Sequence, residues 1–256
     1  MTTDNELMHH IKCKKGDIGK YVILPGDPGR VEKIANYLDN PHHIQTNREY
    51  EIWNGTLEGE TVTVMSTGMG GPSTAIGVEE LKKCGAEVLI RIGTCGGIDS
   101  SIVPGTLIIS TGAIRKEGTT REYVPIEYPA VPDFDLVCSL KDAAEKLGHP
   151  YKLGVTEGKD SYYGQHDPDS MPVGPELNYK WQAWKKAGAI ASEMESAALF
   201  IVASVRRMRA AAIFLLCRNR ERENETGLTD TVWDTSNAIE TVIEAIRTLI
   251  LKDQNK

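Results

Sequence analysis

Residues 20–38 read "KYVILPGDPGRVEKIANYL". The apolar, β-rich run from Tyr21 to Leu24 stops at Pro25-Gly26. After Pro28, which suits a first helical turn, the apolar residues Val31, Ile34 and Leu38 return at helical spacing. The stretch is therefore strand, tight loop and helix, and the same alternation recurs downstream. "EVLIRIGTCGG" (87–97) is a buried strand running into glycines, "GTLIISTGAI" (105–114) another, and "LVCSLKDAAEKLG" (136–148) a helix closed by Gly148. "YKLGVTEG" (151–158) reads as a strand, "ELNYKWQAWKKAG" (176–188) as a helix, and "SEMESAALFIVASVRR" (192–207) as a long helix before the strand "AAAIFLLC" (210–217). A final helix spans about Thr235 to Leu251. Interleaved strands and helices predict a three-layer α/β/α fold with a mixed, largely parallel central sheet and a ligand at the carboxyl ends of the strands.

Two segments depart from this rhythm. "REYEIWNGTLEGETVTVMSTG" (48–68) alternates apolar and polar residues around Asn54-Gly55 and Glu58-Gly59, which predicts antiparallel strands. "PSTAIGVEELKKCG" (72–85) is a helix with Pro72 near its start and Gly85 beyond its end. No compositional break or internal repeat divides the 256 residues, and 40% hydrophobic content suffices for a substantial core, so one domain over 1–256 is expected.

A net charge of -7, with no Lys/Arg stripe, argues against a nucleic-acid or polybasic membrane surface. No apolar stretch approaches the roughly 20 residues that span a bilayer, and "MTTDNELMHHIK" has no apolar signal core, which predicts a cytoplasmic location. Cys13, Cys84, Cys95, Cys138 and Cys217 are odd in number and lack ligand spacing, and most read as small core residues.

The chemistry concentrates at strand ends. Gly26 in "LPGDPGR" lets backbone approach an anion, and Arg30 follows in the first turn of a helix whose positive end adds attraction. Arg91 lies inside an apolar strand, where a lone guanidinium would cost several kcal/mol, so it must meet an internal carboxylate or a bound anion. Thr94 follows with a hydroxyl. Neither a Walker loop nor dinucleotide glycine spacing is present. Ser192 and Glu195 in "SEMES" have capping-box spacing, while Glu193 or Glu195 could instead accept from paired sugar hydroxyls. In "SYYGQHDPDSM" (161–171) a turn-rich loop carries aromatic rings and a glutamine, suited either to a flat ring with donor and acceptor edges or to a plain surface turn.

The segments "HIKCKKGDIGKYVILPGDPGR", "REYE", "STGMGGPSTAIGVEEL", "IRIGTCGG", "EYPAVPDF", "YYGQ" and "SEMESAALF" together resemble, in order and over nearly the whole chain, the nucleoside phosphorylase family that joins uridine phosphorylases to the trimeric-unit purine enzymes. "EYPAVPDF" and "YYGQHDP" are similar to its uridine branch. The resemblance implies reversible phosphorolysis, with inorganic phosphate as co-substrate and no cofactor required. It implies a phosphate site of Gly26, Arg30, Arg91 and Thr94, with Arg48 reaching in from a neighbouring subunit. It further implies a ribose site of Met194, Glu195 and Glu193, with His10 (or the adjacent His9) supplied by the neighbour near the 5'-hydroxyl. A homo-oligomer with shared sites follows, a hexamer built as a trimer of dimers. A monovalent cation, K+, between subunits is also implied, matched by Glu49 and Ser73.

For the base, the resemblance assigns Gln165 to the uracil edge and Tyr162 to its face, with Cys95 and Gly96 alongside. Purine-cleaving relatives place an acid in the loop after the "FLLC" strand, where this chain has Asn219-Arg220. Arg220 either meets a pyrimidine oxygen or belongs to a solvated loop. Where many uridine enzymes place an arginine two residues after the glutamine, Asp167 stands here, preceded by His166. His166 is the alternative donor to the uracil carbonyl, and its imidazole would then titrate near neutral pH. A purine phosphorylase, a hydrolase using water and a non-catalytic nucleoside-binding homologue are the competing readings.

Overall fold

A computed structural model describes residues 6–255; Met1–Asn5 and Lys256, which the predicted domain includes, lie outside the described residues. The opening stretch folds as read. β1 (Tyr21–Pro25) is buried along its whole length, and α1 (Val31–Ala35) follows a single 3-10 turn over Pro28–Arg30. A strand covered on both faces reads as an unbroken apolar run, which is why "YVIL" does not alternate.

An antiparallel flap comes next: β2 (Asp39–Asn47), β3 (Tyr50–Leu57) and β4 (Glu60–Met65). The turn between β3 and β4 is at Glu58-Gly59, whereas Asn54-Gly55 lies within β3. Gly55 is there for space, since a Cβ on it would stand 2.6 Å from Leu38 Cβ. The polar edge strand β2, "DNPHHIQTN", carries no apolar alternation and is invisible to pattern reading.

The remaining strands are β5 (Val88–Gly97), β6 (Leu107–Arg115), β7 (Tyr151–Gly158), β8 (Ala191–Glu193) and β9 (Arg209–Arg218). The sheet order is β2-β3-β4-β1-β5-β8-β7-β6-β9, and β9 also pairs with β5. The five strands from β5 to β9 thus close on themselves, so the sheet is open at the flap end and barrel-like at the other. Among the described residues five pairings are parallel and four antiparallel, a mixed sheet.

Helices cover both faces. α2 (Gly71–Cys84) and α6 (Ser196–Val205) pack on one side, in the core cluster that holds Leu81, Phe200 and Phe214. α1, α3 (Phe134–Leu147) and α8 (Ser236–Gln254) pack on the other, with Leu140 and Ile246. α6 is buried nearly all round, as its uniformly apolar sequence requires. Two segments read as loops are short helices instead, α4 (Tyr162–His166) and α7 (Arg220–Thr226), each capped by its preceding residue: Ser161 Oγ accepts from Gly164 N–H and Asn219 Oδ1 from Arg222 N–H. Between them lies α5 (Gly174–Lys186). Cys13, Cys84, Cys95 and Cys217 are buried, as expected of core residues, and Cys138 is partly so. Among the described residues no helix is long and apolar enough to cross a membrane.

Candidate active site

β1 and β5 are parallel neighbours, with Leu24 beside Arg91, so the loop after β1 faces the middle of β5. Gly26 lets the loop pack closely there: a Cβ on it would lie 3.2 Å from Gly68 O and 3.4 Å from Arg91 Nη2. Arg91 is 5% exposed and finds the internal carboxylate that the sequence left open, with Nη2 donating to Glu195 Oε2 at 2.5 Å. Nη1 donates to Thr67 Oγ1 at 3.3 Å, while the buried Nε–H has no hydrogen-bond partner among the described residues and stands 3.9 Å from Glu193 Oε2. Asp27 caps the turn that carries Arg30, accepting from Gly29 N–H and standing 3.7 Å from Arg30 Nε. Near this loop, burial pushes the Cys217 thiol up to about 11, against the Arg30 charge and a hydrogen bond with Thr94.

"SEMES" is not the capping box its spacing suggested. Ser192 lies in β8, and α6 begins only at Ser196. Glu193 does the capping: Oε2 accepts from Glu195 N–H at 2.8 Å and Ser196 N–H at 2.9 Å, and Oε1 from the Ser196 hydroxyl. Burial, then the neighbouring Glu195, pushes the Glu193 carboxyl up, despite Arg91 nearby. Glu195 serves the site instead, with Oε1 accepting from Gly70 N–H at 2.7 Å at the start of α2. Met194, between the two carboxylates, is partly exposed.

Gln165 and His166 sit on α4 beside β8. The Ser192 hydroxyl lies 2.9 Å from Gln165 Oε1 and 2.7 Å from Glu157 Oε2, one proton for two acceptors. Lys159 Nζ donates to Ser192 Oγ at 2.6 Å, and Lys116 Nζ stands 3.0 Å from the other oxygen of the fully buried Glu157. Burial pulls the Lys159 ammonium below its ordinary 10.5, opposed by Glu157 and Glu193. This network of Lys116, Glu157, Lys159 and Ser192 escaped sequence reading. A lysine at a strand end normally signals solvent, and only the fold buries it.

Tyr162 packs its ring 4.3 Å from that of His166 and is half exposed. His166 is not the neutral-range group expected. Burial, with the charges of Arg220, Lys159 and Arg218, pulls its imidazole from 6.5 down to about 4. A depressed base of this kind contributes stability that is fully present above 6.5 and lost as pH falls through about 4. The pH dependence of kcat/KM for the nucleoside should therefore show no limb near 6.5 from His166. A limb there that vanishes in His166→Gln would contradict this.

The structure places Arg220 at the first position of α7, Nη1 donating to His166 O at 3.3 Å, which ties it to the α4 end of the site. Asn219 is a strap: Nδ2 donates to Asp99 O and Ile102 O, both at 2.8 Å, and the residue is 1% exposed. A Cβ on Gly97 would strike this side chain at 2.3 Å. Gly96 is less crowded, an added Cβ meeting only Arg218 O at an ordinary 3.9 Å, and Cys95 is buried with a thiol that burial pushes well up, far from a thiolate nucleophile.

His10 and Arg48 are brought together elsewhere. Asn47 Nδ2 donates to His10 O at 2.6 Å, and the next residue, exposed Arg48, adopts φ 56° in the β2–β3 turn. Glu49 and Ser73 both flank Gly68, whose added Cβ would lie 2.9 Å from Glu49 Cγ and 3.5 Å from Ser73 Oγ.

The Arg91–Glu195 pair thus lies beside the Gly26 loop, Glu193 caps the helix that follows, and Ser192 links β8 to Gln165 on α4. The sequence profile of the phosphorylase superfamily matches residues 20–251, and the chain belongs to that family. Within it, the chain is 54% identical to the uridine phosphorylase of Treponema pallidum over 253 residues, 98% of this chain and 97% of that one. It is 36% identical to the uridine phosphorylase of Escherichia coli, covering 94% and 97% of the two chains. It is also 38% identical to the guanosine phosphorylase of Halorubrum lacusprofundi, over 85% and 86%.

Proposed function

We propose that this chain catalyses the phosphate-dependent, reversible cleavage of uridine to uracil and ribose 1-phosphate, a pyrimidine salvage reaction. The observation that carries the reading is the Arg91–Glu195 pair, which joins an anion cradle to a sugar-binding carboxylate through one guanidinium, with Glu193 Oε2 3.9 Å from its Nε. Phosphate, held by Gly26, Arg30, Arg91, Thr94 and a neighbour's Arg48, takes charge-assisted hydrogen bonds from these donors. Met194 packs on the ribose and Glu195 orients its hydroxyls, while Glu193 holds the start of α6.

As the C1'–N bond breaks, positive charge grows on the ribose and negative charge on the base. Phosphate attacks C1' from the opposite face, so no protein nucleophile is needed. Gln165 pairs with the uracil edge, Tyr162 covers its face beside Cys95 and Gly96, and neutral His166 can donate to the carbonyl. Arg220 adds positive charge at that end.

The site is shared between subunits through His10 and Arg48, in a hexamer built as a trimer of dimers. Glu49 and Ser73 offer a carboxylate and a hydroxyl around one point, which fits one subunit's share of a K+ site; the ion would supply charge neutralisation between copies. One domain, acting in the cytoplasm, completes the reading.

The guanosine-cleaving relative keeps a purine substrate in contention. Against it stands Asn219: the matched position holds no acid, and its amide is committed to two backbone carbonyls. Uridine and inosine assayed side by side in phosphate buffer test the point. Uridine should be cleaved faster by orders of magnitude, and a preference for inosine would reverse the assignment.

A further inference from the structure

Glu80 lies on α2, 7% exposed, and faces the N-terminal segment. Its carboxylate accepts from His10 N–H at 2.9 Å, from Ile11 N–H at 2.8 Å and, through Oε1, from His10 Nδ1 at 2.8 Å. Asn47 holds the His10 carbonyl from the other side at 2.6 Å. Burial works against the Glu80 charge, but these donors outweigh it and keep the carboxyl below its ordinary 4.5.

An ionised carboxylate can only accept, so the ring proton of His10 sits on Nδ1 and the Nε2 lone pair points away from Glu80. Docking the segment needs only the two backbone bonds. The third, to the ring, does something else: it selects a tautomer and a ring orientation, as carboxylates do behind metal-bound and catalytic histidines. The residue that precedes α2, Gly70, holds Glu195 through its N–H. One rigid helix therefore supports the sugar carboxylate at its start and the His10 anchor farther along.

We infer that Glu80 is a positioning residue for His10, fixing its Nδ1–H tautomer and presenting Nε2 to accept a hydrogen bond from the primary hydroxyl of the sugar in the neighbouring subunit. This rests on the reading that His10 serves the neighbour's sugar. The test compares uridine with 5'-deoxyuridine, and reads the His10 tautomer from ring 15N shifts. Wild type should show Nδ1–H. Glu80→Gln, which can offer its amide N–H to the ring, should shift it to Nε2–H.

Glu80→Gln and His10→Ala should each lower kcat/KM for uridine by up to about tenfold, the size of one hydrogen bond, and leave 5'-deoxyuridine nearly unchanged. Adding Glu80→Gln to His10→Ala should cost nothing further. Equal losses on both substrates in Glu80→Gln, with His10→Ala still discriminating, would overturn the Glu80 role alone. A His10→Ala variant that fails to discriminate would remove His10 from the sugar site, and the proposal with it.

Discussion

Arg91→Ala should lower kcat/KM for phosphate by about 10²–10³-fold, the scale of removing a preorganised charged donor from a developing anion. It should also destabilise the protein, by about 3–5 kcal/mol, because it leaves a buried carboxylate without its counterion. The 2.5 Å bond to Glu195 is what couples the two effects in one side chain. Arg91→Lys separates the two effects: it keeps the charge beside Glu195 and loses the guanidinium fork, so stability should recover more than phosphate affinity. Steady-state kinetics with varied phosphate, beside a urea melt, read both. An unchanged phosphate dependence in Arg91→Ala would remove it from the site.

The second large effect is expected at Lys159. Its ammonium holds Ser192, and Ser192 touches both Glu157 and Gln165. Lys159→Met keeps most of the unbranched side chain and removes the charged end. Ser192 is then free to turn, Gln165 loses its fixed neighbour, and Glu157 keeps the Lys116 ammonium at 3.0 Å. A displacement of about 1 Å in a base-orienting group costs about 10²-fold, so kcat/KM for uridine should fall by about that much. KM for phosphate, set at the other end of the site, should stay within about twofold, since separated sites behave independently. Equal losses for both substrates would mark Lys159 as a purely structural residue.

The elements proposed to bind phosphate were legible because the same physics that buries them also writes them: an unbroken apolar run, then Gly26, then an arginine in a strand that otherwise admits no charge. The buried Arg91 was legible as a problem, and its solution by Glu195 was not, since 104 residues separate them. Local spacing misled at "SEMES", where Ser192 and Glu195 matched a cap that Glu193 makes. The closure of β9 onto β5 left no mark in any single strand. The polar edge strand β2 and the short helices α4 and α7 carry too little apolar pattern to be seen. Family resemblance named Gln165 and His166, yet only burial and nearby cations show His166 held neutral.

Incubating the protein with uridine, with and without phosphate, and identifying the sugar product decides whether phosphate or water attacks the nucleoside. Ribose 1-phosphate should form in equal amount to uracil, with no uracil released when phosphate is absent. Free ribose, formed at the same rate without phosphate, would make water the nucleophile and the protein a hydrolase.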